Sequence, residues 1–171
     1  NDWSQTSKTY ISIGQELSIT NLQLAMSYCA IANGGYLMKP NIIKNISNNK
    51  NENIYTSEPN IIRQVISENN ANFILESMKK VISYGTAKNL NLEGYNIGGK
   101  TGTAQKYINN SYSKNDFISS FASIFPINQP KYIIIISIDS PQYGYHWANQ
   151  SAVPASREII KKIIISNSNS I

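Results

Sequence analysis

The sequence predicts an α+β domain in which an antiparallel sheet is covered by helices. Three observations lead there. Residues 21–33, 67–85 and 155–165 carry apolar positions at helical spacing. Residues 95–107, 117–125 and 132–139 read as strands. The strands are grouped as an antiparallel run between the second and third helices, the order of an α+β domain. The 171 residues suffice for one core and are too few for two, so 1–171 is taken as part of a single domain.

In chain order, residues 1–20 are polar and turn-rich. Thr20 can cap a helix that begins at Asn21 and stops at Gly34-Gly35, with Leu22, Ala25, Met26, Cys29 and Ala32 on one buried face. Tyr36 to Ile46 is an extended segment interrupted at Pro40. The Asn-rich run 47–53 follows as a loop, so this region is a hairpin or an exposed excursion. Ser67 caps a second helix marked by Ile74, Met78, Val81 and Ile82, which Gly85 can end. The stretch from Tyr95 to Tyr107, with Gly98, Gly99 and Gly102, reads as a strand that something approaches closely. Pro126-Ile127-Asn128-Gln129-Pro130 joins the next two strands into an antiparallel hairpin, and the second, apolar on both sides, is expected to be central. Ile159, Ile160, Ile163 and Ile164 line one side of the last helix, and the residues from Ser166 onward read as a frayed polar tail.

Charge and composition narrow the functional classes. The formal net charge is +5, but the 15 Lys and Arg residues are scattered, and no window forms a basic patch for nucleic acid. Cys29 is the single cysteine, so no disulfide forms within the chain, and its apolar neighbours suit a buried thiol. One histidine, His146, with one cysteine makes no metal site, and no cofactor is implied. His146 is expected to be structural or on the surface. Asn1-Asp2-Trp3-Ser4 has no secretory character, and the apolar run from Tyr132 to Ile138 is far shorter than the roughly 20 residues that span a bilayer. Any export signal or anchor is expected outside these residues.

Two patterns compete for Lys100. Gly94 to Thr101 satisfies G-x-x-x-x-G-K-[ST], which taken alone would be a nucleotide-binding loop. That chemistry needs a helix opening at the loop, so that its first amides hold the phosphates. Gly102 follows at once, Thr101 and Thr103 favour a strand, and Asn109-Asn110 would end any helix early, so a P-loop remains a remote alternative. As a strand, Gly99-Lys100-Thr101-Gly102-Thr103-Ala104 places Lys100 on one side and Thr101 and Thr103 on the other.

A Lys-Thr-Gly strand is one signature of serine transpeptidases and serine β-lactamases. The surrounding segments extend the match. They are Ser12-Ile13-Gly14-Gln15-Glu16, Ser18 to Ala25 running into Ile31-Ala32-Asn33-Gly34-Gly35, and Tyr84-Gly85-Thr86-Ala87. Gly98 to Lys106, Ser120 to Pro126 and Ala152-Val153-Pro154 follow in the same order. Through these segments nearly the whole chain resembles the C-terminal half of the transpeptidase domain of class B penicillin-binding proteins, in its division-specific form.

The resemblance implies an acyl-serine mechanism that cross-links peptidoglycan stem peptides and is blocked by β-lactams. It places the nucleophile's Ser-x-x-Lys element and the Ser-x-Asn element before residue 1. Ser-x-x-Lys matches do occur at Ser47, Ser77 and Ser111, and Ser-x-Asn matches at Ser47, Ser67 and Ser113. None occupies the family's position, so none is expected to be catalytic. Carried over residue by residue, Lys100 supplies positive charge beside the serine, and Thr101 and Thr103 hydrogen-bond the substrate carboxylate. Gly102 lets the substrate lie close, and the Thr103 backbone N–H forms one arm of the oxyanion hole. His146-Trp147 stand where related sequences carry small residues, which leaves the shape of the cleft rim open. The implied parent is anchored in the inner membrane with a periplasmic catalytic domain, and its implied partners include cell-division membrane proteins. A β-lactamase or β-lactam sensor of the same superfamily is the alternative, though a poorer match to residues 12–35. A non-catalytic module is another.

Overall fold

The computed structural model describes Trp3, residues 5–142 and residues 144–168. Asn1, Asp2 and Ser4 of the opening stretch, and the last three residues of the polar tail, lie outside the described residues. A short helix α1, Ser7–Ser12, occupies part of the segment expected to be turns. At six residues it is too brief to display an apolar period. Helix α2, Asn21–Ala32, begins where expected. The Thr20 side chain accepts from the Gln23 amide while the Gln23 side chain accepts from the Thr20 amide, a closed capping box. Gly34 and Gly35 then take positive φ and end it. Its apolar face is only partly covered. Ala30 is buried, Ala25, Met26, Cys29 and Ala32 are half-buried, and Leu22 is 53% exposed. The Cys29 thiol is pushed up by burial, away from the reactive thiolate.

The excursion that follows is two small antiparallel ladders. Strand β1, Tyr36–Met38, pairs with β4, Ile61–Gln64, and β2, Asn45–Ser47, pairs with β3, Asn53–Thr56. The Asn-rich segment is the turn of the inner ladder, where Asn48 Oδ1 accepts from the Lys50 and Glu52 amides. Helix α3, Glu68–Ser83, is capped by Ser67, whose hydroxyl accepts from the Asn70 amide. A 3-10 turn, Lys88–Leu90, leads to the main sheet.

That sheet has three strands, β5 (Gly98–Ile108), β6 (Ser111–Phe125) and β7 (Tyr132–Asp139), in the order β5-β6-β7 and antiparallel throughout. Strand β6 starts well before the predicted Phe117. Asn109 and Asn110 both take positive φ and close a hairpin between β5 and β6. The hairpin between β6 and β7 forms as expected. The expectation that 132–139 is central is corrected: β6 is central, and β7 is an edge of the described sheet. A run apolar on both sides reports that both faces are covered, not that strands flank it. Here Ile134, Ile136 and Ile138 pack with the cluster of Phe121, Phe125, Val153 and Ile160, while Ile133 packs with Met78, Ile124 and Tyr28. Thus α4, Ala152–Ser168, covers one face, and α2 with α3 covers the other. Helix α4 extends through Ser168, beyond the predicted 155–165 and into the stretch expected to fray. The whole is the expected α+β fold.

Lys106 on β5 reaches across to Asp139 at the end of β7, Nζ to Oδ1 2.6 Å. The hydrogen bond from Lys106, helped by one from the Ser140 hydroxyl, holds the Asp139 carboxyl below its ordinary range. A carboxyl depressed in the folded state contributes stability above its unfolded titration range and loses it as pH falls through the folded one. Asp139→Asn should therefore lower the Tm at neutral pH by a small amount, because the pair is exposed. The deficit should vanish below the carboxylate range, and an unchanged deficit in acid would contradict this role.

Candidate active site

Residues directly opposite one another in an antiparallel pair share a face. Thr101 lies opposite Phe121 and Thr103 opposite Ser119, so both threonines point to the α4 side. Lys100 lies opposite Ala122 and Gly102 opposite Ser120, on the side of α2 and α3. On the threonine side, at the β5 edge, is a cleft of about 540 Å³. Thr101 and Thr103 form its floor, Thr86 stands at one wall, and Trp147 to Gln150 form the other.

The β7–α4 loop that forms this second wall is fastened from several directions. The Ser119 hydroxyl donates to the His146 carbonyl, and the His146 ring stacks on Phe117 with centroids 4.3 Å apart. The buried Ala148 donates its amide to Thr103 Oγ1 at 3.2 Å. Asn89, in the 3-10 turn, donates to the Asn149 carbonyl at 2.6 Å. His146 is thus a half-buried structural side chain that holds the loop, while Trp147 projects at 56% exposure along the rim. The rim shape that the sequence left open is that of an indole wall.

The threonine hydroxyls are held differently. An amide can only donate, so the Ala148 contact occupies a lone pair of Thr103 Oγ1 and leaves its proton for the cleft. Thr101 Oγ1 meets Thr86 Oγ1 at 2.8 Å. Strand β5 is an edge of the described sheet, so alternate backbone groups along it face away from β6. Lys100 does not line this cleft. Its Nζ donates to the Thr101 carbonyl at 2.7 Å from an exposed position at the same edge. Gly102 runs beneath the Ser120 hydroxyl, which donates to its carbonyl at 3.5 Å.

This arrangement offers hydroxyl donors on a rigid strand, with a cation nearby and no activated nucleophile. None of the cleft hydroxyls has a basic side chain as hydrogen-bond partner. Ser47 lies on β2, Ser77 on α3 and Ser111 at the far end of β6. None lines the cleft, and the Ser77 and Ser111 hydroxyls donate to local carbonyls. The nucleotide-loop alternative does not survive, because Gly98 to Ile108 is a strand and no helix opens at Lys100. No group of His, Cys, Asp and Glu among the described residues could hold a metal ion. Trp147, Asn149 and Gln150 join the site through a fold-back of about forty residues, which no local pattern announces. Thr86 was visible only as part of the Tyr84-Gly85-Thr86-Ala87 resemblance.

Comparison with known proteins supplies the family. The penicillin-binding protein transpeptidase domain matches residues 1–164. A peptidoglycan D,D-transpeptidase FtsI homolog of Mesostigma viride is 36% identical over 166 residues, 90% of this chain and 28% of that protein. The penicillin-binding protein PbpB of Mycolicibacterium smegmatis is 35% identical, covering 92% of this chain and 26% of that protein. The chain therefore spans about a quarter of the length of these relatives. Among solved structures, penicillin-binding protein 3 of Mycobacterium tuberculosis complexed with ampicillin superposes with a TM-score of 0.85 at 28% identity, over 98% of this chain and 39% of that one. The transpeptidase domain of Burkholderia pseudomallei penicillin-binding protein 3 gives a TM-score of 0.80 at 29% identity, over 96% of this chain and 47% of that one. The Lys-Thr-Gly strand, the helices on both faces of its sheet and the match over residues 1–164 agree, and the chain belongs to the penicillin-binding protein transpeptidase family.

Proposed function

We propose that this chain is the substrate-carboxylate side of a division-type peptidoglycan D,D-transpeptidase, whose acylated serine lies outside residues 1–171. The observation that carries this is the placement of the Thr101 and Thr103 hydroxyls together on the floor of one cleft at a strand edge. A stem peptide ending in D-Ala-D-Ala, or a β-lactam, presents a carboxylate to those hydroxyls. The Thr103 N–H then serves the developing oxyanion and Lys100 adds positive charge. Gly102 leaves the opposite side of the same strand edge bare, where a Cβ would meet the Ser120 hydroxyl at 2.5 Å. The M. tuberculosis relative in complex with ampicillin supports β-lactams as ligands. The gene product is proposed to be anchored in the inner membrane, to act in the periplasm at the division septum, and to work there with cell-division membrane proteins.

The test is labelling with a fluorescent penicillin. The full-length gene product should form a stable one-to-one adduct on a serine outside these residues, and the 171-residue chain alone should form none. Labelling of Ser47, Ser77 or Ser111, located by mass spectrometry, would overturn the assignment. So would a full-length product that stays unlabelled, whereas rapid turnover of the adduct would indicate a β-lactamase.

A further inference from the structure

The two threonines of the cleft floor differ in what stands behind them. Behind Thr103 is the Ala148 amide, a donor that cannot reverse. Behind Thr101 is the Thr86 hydroxyl at 2.8 Å, and a pair of hydroxyls can run in either direction. If Thr101 donates to Thr86, only a lone pair of Thr101 faces the cleft, and a carboxylate is repelled. If Thr86 donates to Thr101, the Thr101 proton is directed at the carboxylate, and the hydroxyl is polarised by the bond it accepts.

We propose that Thr86 is a positioning residue that donates to Thr101 and so sets its hydroxyl as a second carboxylate donor beside Thr103. Thr86 sits in the turn after α3, fifteen residues before its partner, and itself lines the cleft. Three residues on, Asn89 ties the same segment to the Asn149 carbonyl in the opposite wall. The segment from Thr86 to Asn89 is therefore hydrogen-bonded both to the cleft floor and to the far wall, which fixes where the Thr86 hydroxyl stands relative to Thr101. The selectivity that results is for ligands bearing a negative carboxylate at the position flanked by the two threonines.

The inference rests on the transpeptidase assignment, and its test separates the two. In the full-length gene product, second-order acylation rates are measured for a penicillin and for its methyl ester, whose neutral group accepts hydrogen bonds more weakly. The wild type should favour the free carboxylate. Thr86→Val should lower the rate with the penicillin about five- to tenfold, as expected for one lost hydrogen bond, and leave the rate with the ester within about twofold, so the preference shrinks. Thr86→Ser, which keeps the hydroxyl, should restore it. Because Thr86 is exposed, the valine variant is expected to fold normally. A wild type that is not acylated sinks the transpeptidase assignment and this inference with it. A wild type that prefers the carboxylate while Thr86→Val keeps the full preference, lowers both rates equally, or increases the preference, sinks the role of Thr86 alone. The last outcome would mean that Thr101 had been donating to Thr86.

Discussion

Replacing Lys100 with alanine in the full-length gene product is expected to slow acylation by penicillin roughly 30- to 900-fold, the effect of removing about 2–4 kcal/mol of electrostatic stabilisation from the barrier. Stability should hardly change. The Lys100 side chain is exposed, and its Nζ donates to the carbonyl of the next residue, Thr101, at 2.7 Å. Surface substitutions of this kind stay within about 0.5 kcal/mol. The lysine lies across the strand from the two threonines, so its charge and their hydroxyls are separable contributions. Lys100→Arg should recover part of the rate, because the charge returns on a bulkier, planar group. The rate follows from stopped-flow acylation and the stability from thermal melting. An acylation rate for Lys100→Ala within twofold of the wild type would defeat the role assigned to this residue.

Phe121→Ala is expected to cost about 3–5 kcal/mol, the range for emptying a buried aromatic site. That is a large part of the 5–15 kcal/mol that holds a typical domain together. Phe121 is fully buried at the centre of the cluster that joins β6, β7 and α4, and it lies directly opposite Thr101. The same ring explains Gly99. A Cβ at that position would sit 2.3 Å from Phe121 Cζ and 2.9 Å from the Ala122 carbonyl oxygen, and a fully buried ring cannot swing aside. Gly99→Ala should therefore cost about 1–3 kcal/mol through overpacking. Combining it with Phe121→Leu should cost less than the sum, by about 0.5–3 kcal/mol of coupling. Denaturant midpoints of the four proteins close that cycle, and strict additivity would refute the contact.

Helices α2 and α3 were legible because their signals are local. Thr20 with Gln23 and Ser67 with Asn70 are caps within one turn, and the observed N-termini fall at the predicted residues. The hairpin between β6 and β7 was legible for the same reason, through its proline-bounded turn. The hairpin between β5 and β6 was missed. Asn109-Asn110 read as a helix stop, whereas their side chains also tolerate the positive φ that a tight turn demands. The position of β7 was misjudged because a run apolar on both sides records what covers a strand's faces and says nothing of its edges.

The Lys-Thr-Gly strand, the side of it on which each residue stands, and the family they belong to were all determined by the sequence, since strand alternation follows from the backbone alone. Only the tertiary structure decided what the threonines face. Thr86 arrives from fifteen residues before Thr101, and Ala148 from forty-five residues after Thr103. Asn89 and Asn149 meet across sixty. Hydrogen bonds between groups so far apart in the chain depend on how the whole sheet and its covering helices pack, and no local period or propensity encodes them. That Thr101 and Thr103 share one side of the strand could therefore be read from the sequence, but the direction in which each hydroxyl points its proton depends on the folded chain around it.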